Sequence, residues 1–198
     1  MFYKHIQDVL SPAQCRDIIE LGNEKGFEEA LVNMGDGTQK LLQHVRNNER
    51  VLFTDPTLAL QLEARIAQHI PKAFKDVVFA KTGEFFRLYK YVPGQYFKTH
   101  RDGSHKDTDG TESEITALFY LNDTDGGETV LMPLGKNMVD AHIIISPKQG
   151  DVLLFEHHFL HEGRQVNSGE KFVLRTDIFY REDVDEAADE IEAGIGFR

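Results

Sequence analysis

Residues 113–123 read SEITALFYLND. In an extended chain Thr116, Leu118 and Tyr120 leave one face, and Ile115, Ala117, Phe119 and Leu121 leave the other. Both sets are largely apolar. A strand of this kind is buried on both faces, so it needs a second layer on each side. Its neighbours have related patterns. EFFRLYKYV (84–92) alternates, with Arg87, Tyr89 and Tyr91 on one face. DTDGGETVLMP (123–133), HIIISP (142–147), GDVLLFE (150–156) and KFVLRTDIFY (171–180) each pair a turn signal with a short strand pattern. With the segment at His100 and HEGRQV (161–166), about eight strands follow residue 79, the number of a jelly roll.

Ahead of them the pattern is helical. SPAQ (11–14) is a capping box with Pro12 in the first turn, followed by Cys15, Ile18, Ile19 and Gly22 at helical spacing and a stop at Gly26. DPTLALQLEARIAQHIP (55–71) begins at the cap Asp55, carries a Leu58–Leu62–Ile66 stripe and ends at Pro71. Residues 31–53 keep no steady period and are expected to be irregular. The chain of 198 residues is expected to be one α+β, mainly β domain. Its parts are a helical and irregular support over 1–78, a jelly-roll core over 79–181, and an acidic tail over 182–198.

The net charge of −11 argues against nucleic acid, whose phosphates need clustered Lys and Arg. One cysteine, Cys15, excludes an internal disulfide and a multi-cysteine metal cluster. No apolar run has the length of a signal peptide or a membrane span, so the expected location is cytoplasmic, without a membrane partner. The sequence leaves the oligomeric state open.

THRDG (99–103) sets His100 and Asp102 two apart, where an extended backbone sends both side chains to one face. A short His-x-Asp is weak by itself. The segment 150–180 offers His157, His158 and His161 as a distant third ligand. Two histidines and one carboxylate bind one face of an octahedral metal and leave the other open, the donor set of non-heme Fe(II) oxygenases. Lys171 and Arg175 share a face on the last strand with Val173 and Asp177, so either cation can point inward.

YVPGQYFKTHRD (91–102), TALFYLND (116–123), GGETVLMP (126–133), PKQGDVLLFEHHFLHEG (147–163) and VNSGEK (166–171) follow in that order. In this order they resemble the 2-oxoglutarate/Fe(II)-dependent dioxygenases, in particular the prolyl 4-hydroxylase-like group. The resemblance implies a double-stranded β-helix buttressed by the N-terminal helices, with Fe(II) on His100, Asp102 and His161. It implies 2-oxoglutarate as cosubstrate, its far carboxylate on Lys171 with Tyr120 beside it and Tyr91 nearer the metal. Arg175 is the competing carboxylate partner, unless Asp177 holds it in an ion pair. The implied reaction hydroxylates a prolyl residue or another amino-acid-type substrate (protein, peptide or small molecule), using O2 and giving succinate and CO2, with room for ascorbate as a reductant. A metal jelly-roll isomerase without cosubstrate, or a non-enzymatic iron/2-oxoglutarate sensor or binding module, is the alternative. His157 and His158 are read as packing near the site. The polar loop 103–113 is read as mobile and able to close over the substrate, and the region 33–50, with Arg46, Asn47 and Asn48, as either a solvated loop or a second substrate-facing flap.

Overall fold

The computed structural model describes residues 1–35, 37–133 and 142–183. Helix α1 spans Pro12–Lys25 and opens as its sequence dictates: Gln14 N donates to Ser11 Oγ and Ser11 N donates back to Gln14 Oε1. Helix α2 spans Pro56–Ile66, with Asp55 Oδ1 accepting from Leu58 N. Its buried face is Ala59, Leu62 and Ile66, while Leu58 is only half-buried. Leu62 and Ile66 of the expected stripe are buried, Leu58 packs at its edge, and Ala59 completes the buried face.

Eleven strands position the site. They are β1 Tyr3–Ile6, β2 Glu49–Thr54, β3 Val77–Thr82, β4 Phe85–Tyr91, β5 Phe97–His100 and β6 Glu112–Tyr120. Then come β7 Thr129–Met132, β8 Ile143–Ile145, β9 Val152–Glu156, β10 Leu160–Gly163 and β11 Lys171–Glu182. The major sheet runs β1–β9–β6–β11–β4–β2, with β3 also on β11; the minor sheet runs β8–β7–β10–β5. Strands β4, β6, β9 and β11 face β5, β7, β8 and β10 across a barrel, the expected eight-stranded jelly roll. The two-residue strand Glu28–Glu29 extends the major sheet beyond β2, and Val32–Asn33 with Gln39–Lys40 forms a separate short ladder.

The central strand β6 is fully covered, as its sequence requires. Ile115, Ala117 and Phe119 join a core with Cys15, Ile18, Leu62 and Ile66 of the helices. Leu118 and Tyr120 join a second core inside the barrel with Leu131, Leu153, Phe155 and Val173. Gly22 is where α1 rests on the sheet: a Cβ there would lie 2.4 Å from Leu88 Cδ2. Only a residue without a side chain allows that approach. Among the described residues no helix is long and apolar enough to cross a membrane. The acidic tail, from residue 184 on, lies outside the described residues.

Candidate metal centre

Strands β5 and β10 pair antiparallel with His100 opposite His161. This register, and not sequence distance, brings the two imidazoles together, ring centroids 4.2 Å apart. Asp102 follows β5 by two residues and turns back toward them. Its carboxylate oxygens lie 3.8 Å from His100 Nε2 and 3.6 Å from His161 Nε2. One donor atom from each of the three residues lies within 4.8 Å of the others. His157 is buried elsewhere, 3.6 Å from Asp177, and His158 is exposed.

Each histidine is fixed by its other nitrogen. His100 Nδ1 sits 2.8 Å from Lys98 O and His161 Nδ1 3.2 Å from Phe159 O. A proton on each Nδ1 donates to that carbonyl, which leaves both Nε2 lone pairs turned to Asp102. Burial pushes His100 down to about 3, with His161 adding to the effect; burial also lowers His161. Both are therefore neutral near pH 7, the form that binds a metal. Burial opposes the charge on Asp102, but the Arg175 guanidinium beside it holds its carboxyl well below the usual carboxylate range. Two neutral imidazoles and an ionised carboxylate fit an octahedral Fe(II) face.

Asp102 is also gripped from behind. Thr116 Oγ1 donates to Oδ2 at 2.7 Å, and Arg175 Nη1 donates to Oδ1 at 2.5 Å. Arg175 Nη2 donates to Asp177 Oδ1 at 2.9 Å, and Arg87 Nη1 to Asp177 Oδ2 at 3.0 Å. The sequence reading missed the contacts of Thr116 and Arg175 with Asp102. The signal present was the shared inward face of Thr116, Leu118 and Tyr120; the segment that returns Asp102 to that face has no sequence period.

A narrow cavity of about 40 Å³ opens beside the three residues, lined also by Tyr91, Thr129, Lys171 and Arg175. Lys171 is 3 % exposed. Its Nζ donates to Gly127 O at 2.6 Å and lies 5.2 Å from the Tyr91 ring centre and 5.9 Å from that of Tyr120. Gly127 has a φ of +69°, and a Cβ on it would press on the Lys171 side chain at 3.0 Å; the second glycine of the GGETVLMP turn thus suits the lysine. Burial brings Lys171 down to about 8, opposed by Glu128. Tyr120 stands one layer back, its hydroxyl donating to Thr129 Oγ1 at 2.8 Å, so Thr129 is the hydroxyl at the wall.

The two expected flaps are braced. In the loop 103–113, Ser113 Oγ accepts from His105 N, and Lys81 Nζ reaches Asp107 at 2.7 Å and Asp109 at 2.5 Å. Asn47 Oδ1 accepts from Tyr96 N, and Asn48, 2 % exposed, joins Arg46 to Glu49 O. These asparagines hold backbone in place and do not face an opening. Arg46 alone of the three lines a wider cleft that opens over the metal centre.

The model of the 2OG-Fe(II) oxygenase superfamily matches residues 86–177. Prolyl 4-hydroxylase 1 of Arabidopsis thaliana is 26 % identical over 187 residues, covering 84 % of this chain and 65 % of its own length. The viral collagen prolyl hydroxylase of Paramecium Bursaria Chlorella virus-1, solved as a 2OG complex, superposes with a TM-score of 0.64 at 23 % identity, over 90 % of this chain and 96 % of that one. A prolyl hydroxylase from Trichoplax adhaerens, solved with a hypoxia inducible factor peptide fragment, gives 0.68 at 15 % identity, over 99 % and 87 %.

Proposed function

We propose that the chain, which matches the 2OG-Fe(II) oxygenase superfamily over residues 86–177 and is similar to prolyl 4-hydroxylases, hydroxylates a prolyl residue or a closely related amino-acid-type group. The observation that carries this reading is one arrangement: His100, Asp102 and His161 converge at the mouth of a cavity whose inner wall holds the buried cation Lys171. An isomerase would need the first half of that arrangement and not the second.

When bound, Fe(II) supplies the oxidation, consuming O2 and 2-oxoglutarate and yielding succinate, CO2 and the hydroxylated product. The chain supplies position. His100 and His161 present Nε2, each held by its Nδ1 contact. Asp102 contributes the anionic ligand, aimed by Thr116. Lys171 takes the far carboxylate of 2-oxoglutarate, because a buried ammonium whose hydrogen-bond partner is a carbonyl gains most from a buried anion. Arg175 is less suited, since Asp102 and Asp177 already occupy it. Thr129 donates to the same carboxylate, with Tyr120 orienting it, and Tyr91 lines the cavity nearer the mouth. Seating 2-oxoglutarate requires the narrow cavity of about 40 Å³ to widen. Leu118 and Val173 keep the wall dry. We place the enzyme in the cytoplasm, with ascorbate as the reductant that restores it after idle turnover and no role for nucleic acid.

The test is anaerobic addition of Fe(II) and 2-oxoglutarate. A visible charge-transfer band is expected, followed by succinate on admission of O2. A folded, iron-loaded protein with no band and no succinate overturns the reading. A band without succinate points to the sensor.

A further inference from the structure

A second, wider opening of about 360 Å³ lies over the metal centre and shares His100, Asp102 and Arg175 with the inner cavity. Its lining runs against the charge of the rest of the molecule. The chain has 33 acidic and 22 basic residues, yet the lining contains Arg46, Arg50, Arg87, Arg101 and Arg175, no lysine, and one carboxylate, Asp102. A face built for solubility uses lysine and glutamate. Guanidinium groups gathered in a cleft are the means of gripping carboxylates by two parallel hydrogen bonds.

The arginines are pre-set and incompletely used. Arg46 is 4 % exposed, with its guanidinium carbon 4.1 Å from the Phe97 ring centre and 4.9 Å from that of Tyr89. Its Nε is tied to Asn48 Oδ1, and its Nη2 is buried with no hydrogen-bond partner among the described residues. Phe97 in turn stacks on His100, centroids 3.6 Å apart, so one ring links Arg46 to the metal centre. Arg50 is held by Gln39 Oε1 and by Leu31 O at the rim, with Glu28 3.6 Å from its Nε, which is buried without a hydrogen bond. Arg101 is exposed beside the cleft. Arg87 and Arg175 are balanced by Asp177 and Asp102. That leaves Arg46 and Arg101 without a matching charge among the described residues, while Arg50 meets only Glu28 at the rim, at 3.6 Å. A buried cation with a free donor is costly unless an anion arrives to meet it. The cosubstrate does not account for them, because Arg46, Arg50 and Arg101 line the outer cleft and not the inner cavity that holds Lys171.

We propose that the substrate is an acidic prolyl peptide, with carboxylates flanking the target residue that engage Arg46 and Arg101 first and Arg50 at the rim. This rests on the prolyl hydroxylase reading above and adds the charge of what is hydroxylated. The overall charge of −11 would repel such a peptide; the arginine cleft gives it one favourable place to dock.

Three labelled peptides of equal length decide it, each with a central proline flanked by Glu, by Gln or by Lys and with both ends blocked. Binding is read by fluorescence anisotropy on the intact chain with Fe(II) and 2-oxoglutarate under anaerobic conditions. Admission of O2 and mass spectrometry then report the gain of one oxygen. The Glu peptide is expected to bind at least about tenfold more tightly than the Gln peptide and the Lys peptide most weakly, with the spread shrinking as salt rises. Arg101→Gln, on an exposed side chain, and Arg46→Gln should each reduce the Glu-over-Gln ratio several-fold. Equal binding of the three overturns the proposal, as does a preference that survives both substitutions. So does binding of free glutamate with none of any peptide. The charge-transfer band and succinate report separately on the enzyme reading: if they are present while the peptides bind alike, only the acidic substrate is lost.

Discussion

The two faces of strand β11 are built to opposite rules. Phe172, Leu174 and Ile178 point away from the barrel and pack in the core under the helices. Lys171, Arg175 and Asp177 point the other way, and all line an opening near the metal centre or pair with a residue that does. The first face is non-directional: its contribution scales with apolar area, and residues of similar volume can substitute. The second is directional, since each buried charge there is tolerable only because a particular partner or ligand meets it. One strand therefore carries its charged groups on the face toward the barrel and the helix-facing core on the other, and substitutions of the two kinds should fail differently.

The sharpest break comes at the centre that the inward face supports. Asp102→Ala and His161→Ala should each remove Fe(II)-dependent succinate formation, a loss larger than the roughly 10–100-fold expected of a supporting residue. Thr116→Val, which removes only the donor to Asp102, should fall within that smaller range in iron affinity. Iron content and single-turnover succinate measure both. Equal effects would mean that Thr116 does not act by aiming Asp102.

Lys171→Gln comes next. Breaking a buried ion pair by removing one partner costs about 3–5 kcal/mol, expressed here as a raised KM for 2-oxoglutarate. The pH dependence has a definite sign. Burial lowers Lys171 to about 8, and only the protonated form pairs with a carboxylate. The KM for 2-oxoglutarate should therefore be flat below that value and rise as pH increases through it, by at most about tenfold per pH unit. In Lys171→Gln the rise should vanish. If Arg175→Gln, and not Lys171→Gln, abolishes it, the cosubstrate assignment moves to Arg175.

On the outward face, Leu174→Ala should lower stability by about 2–5 kcal/mol, since Leu174 is fully buried. Urea denaturation measures this, and the folded fraction should keep its KM for 2-oxoglutarate. A KM change comparable with that of Lys171→Gln would erase the contrast between the faces.

How much of this was readable in the sequence follows the same division. Apolar alternation on 113–123 and 171–180 is a local signal, and it located the central strands and both of their faces. The capping box at Ser11 and the Asp55 cap are local as well, and both hold in the structure. The partners of the charged face are not local. That Arg175 reaches Asp102, 73 residues away, depends on how β6 and β11 pair and where the chain turns after β5. Tyr120 shows the limit: alternation put it on the correct face, but only the fold reveals that Thr129 stands between it and the cavity wall. The irregular region 31–53 concealed more, because Arg46 earns its place through two aromatic rings supplied by other strands.

The smallest expected effect concerns the loop 103–113, read from its composition as a flap. Lys81 clasps Asp107 and Asp109 across it, and these contacts depress both carboxyls. All three groups are substantially exposed, so the clasp should add little to stability and should weaken with salt. Lys81→Ala is therefore expected to leave the urea midpoint almost unchanged. Its value lies elsewhere. The loop continues directly from Asp102 and Gly103 into His105, all at the edge of the outer cleft. If the loop moves to admit substrate, loosening the clasp should raise the rate of peptide exchange and alter the KM for peptide, while leaving the KM for 2-oxoglutarate as it was. Both constants unchanged would make the loop a fixed wall of the cleft. A change in both would mean that the clasp holds Asp102 itself in register, and the loop would then belong with Thr116 and Arg175 among the supports of the metal centre.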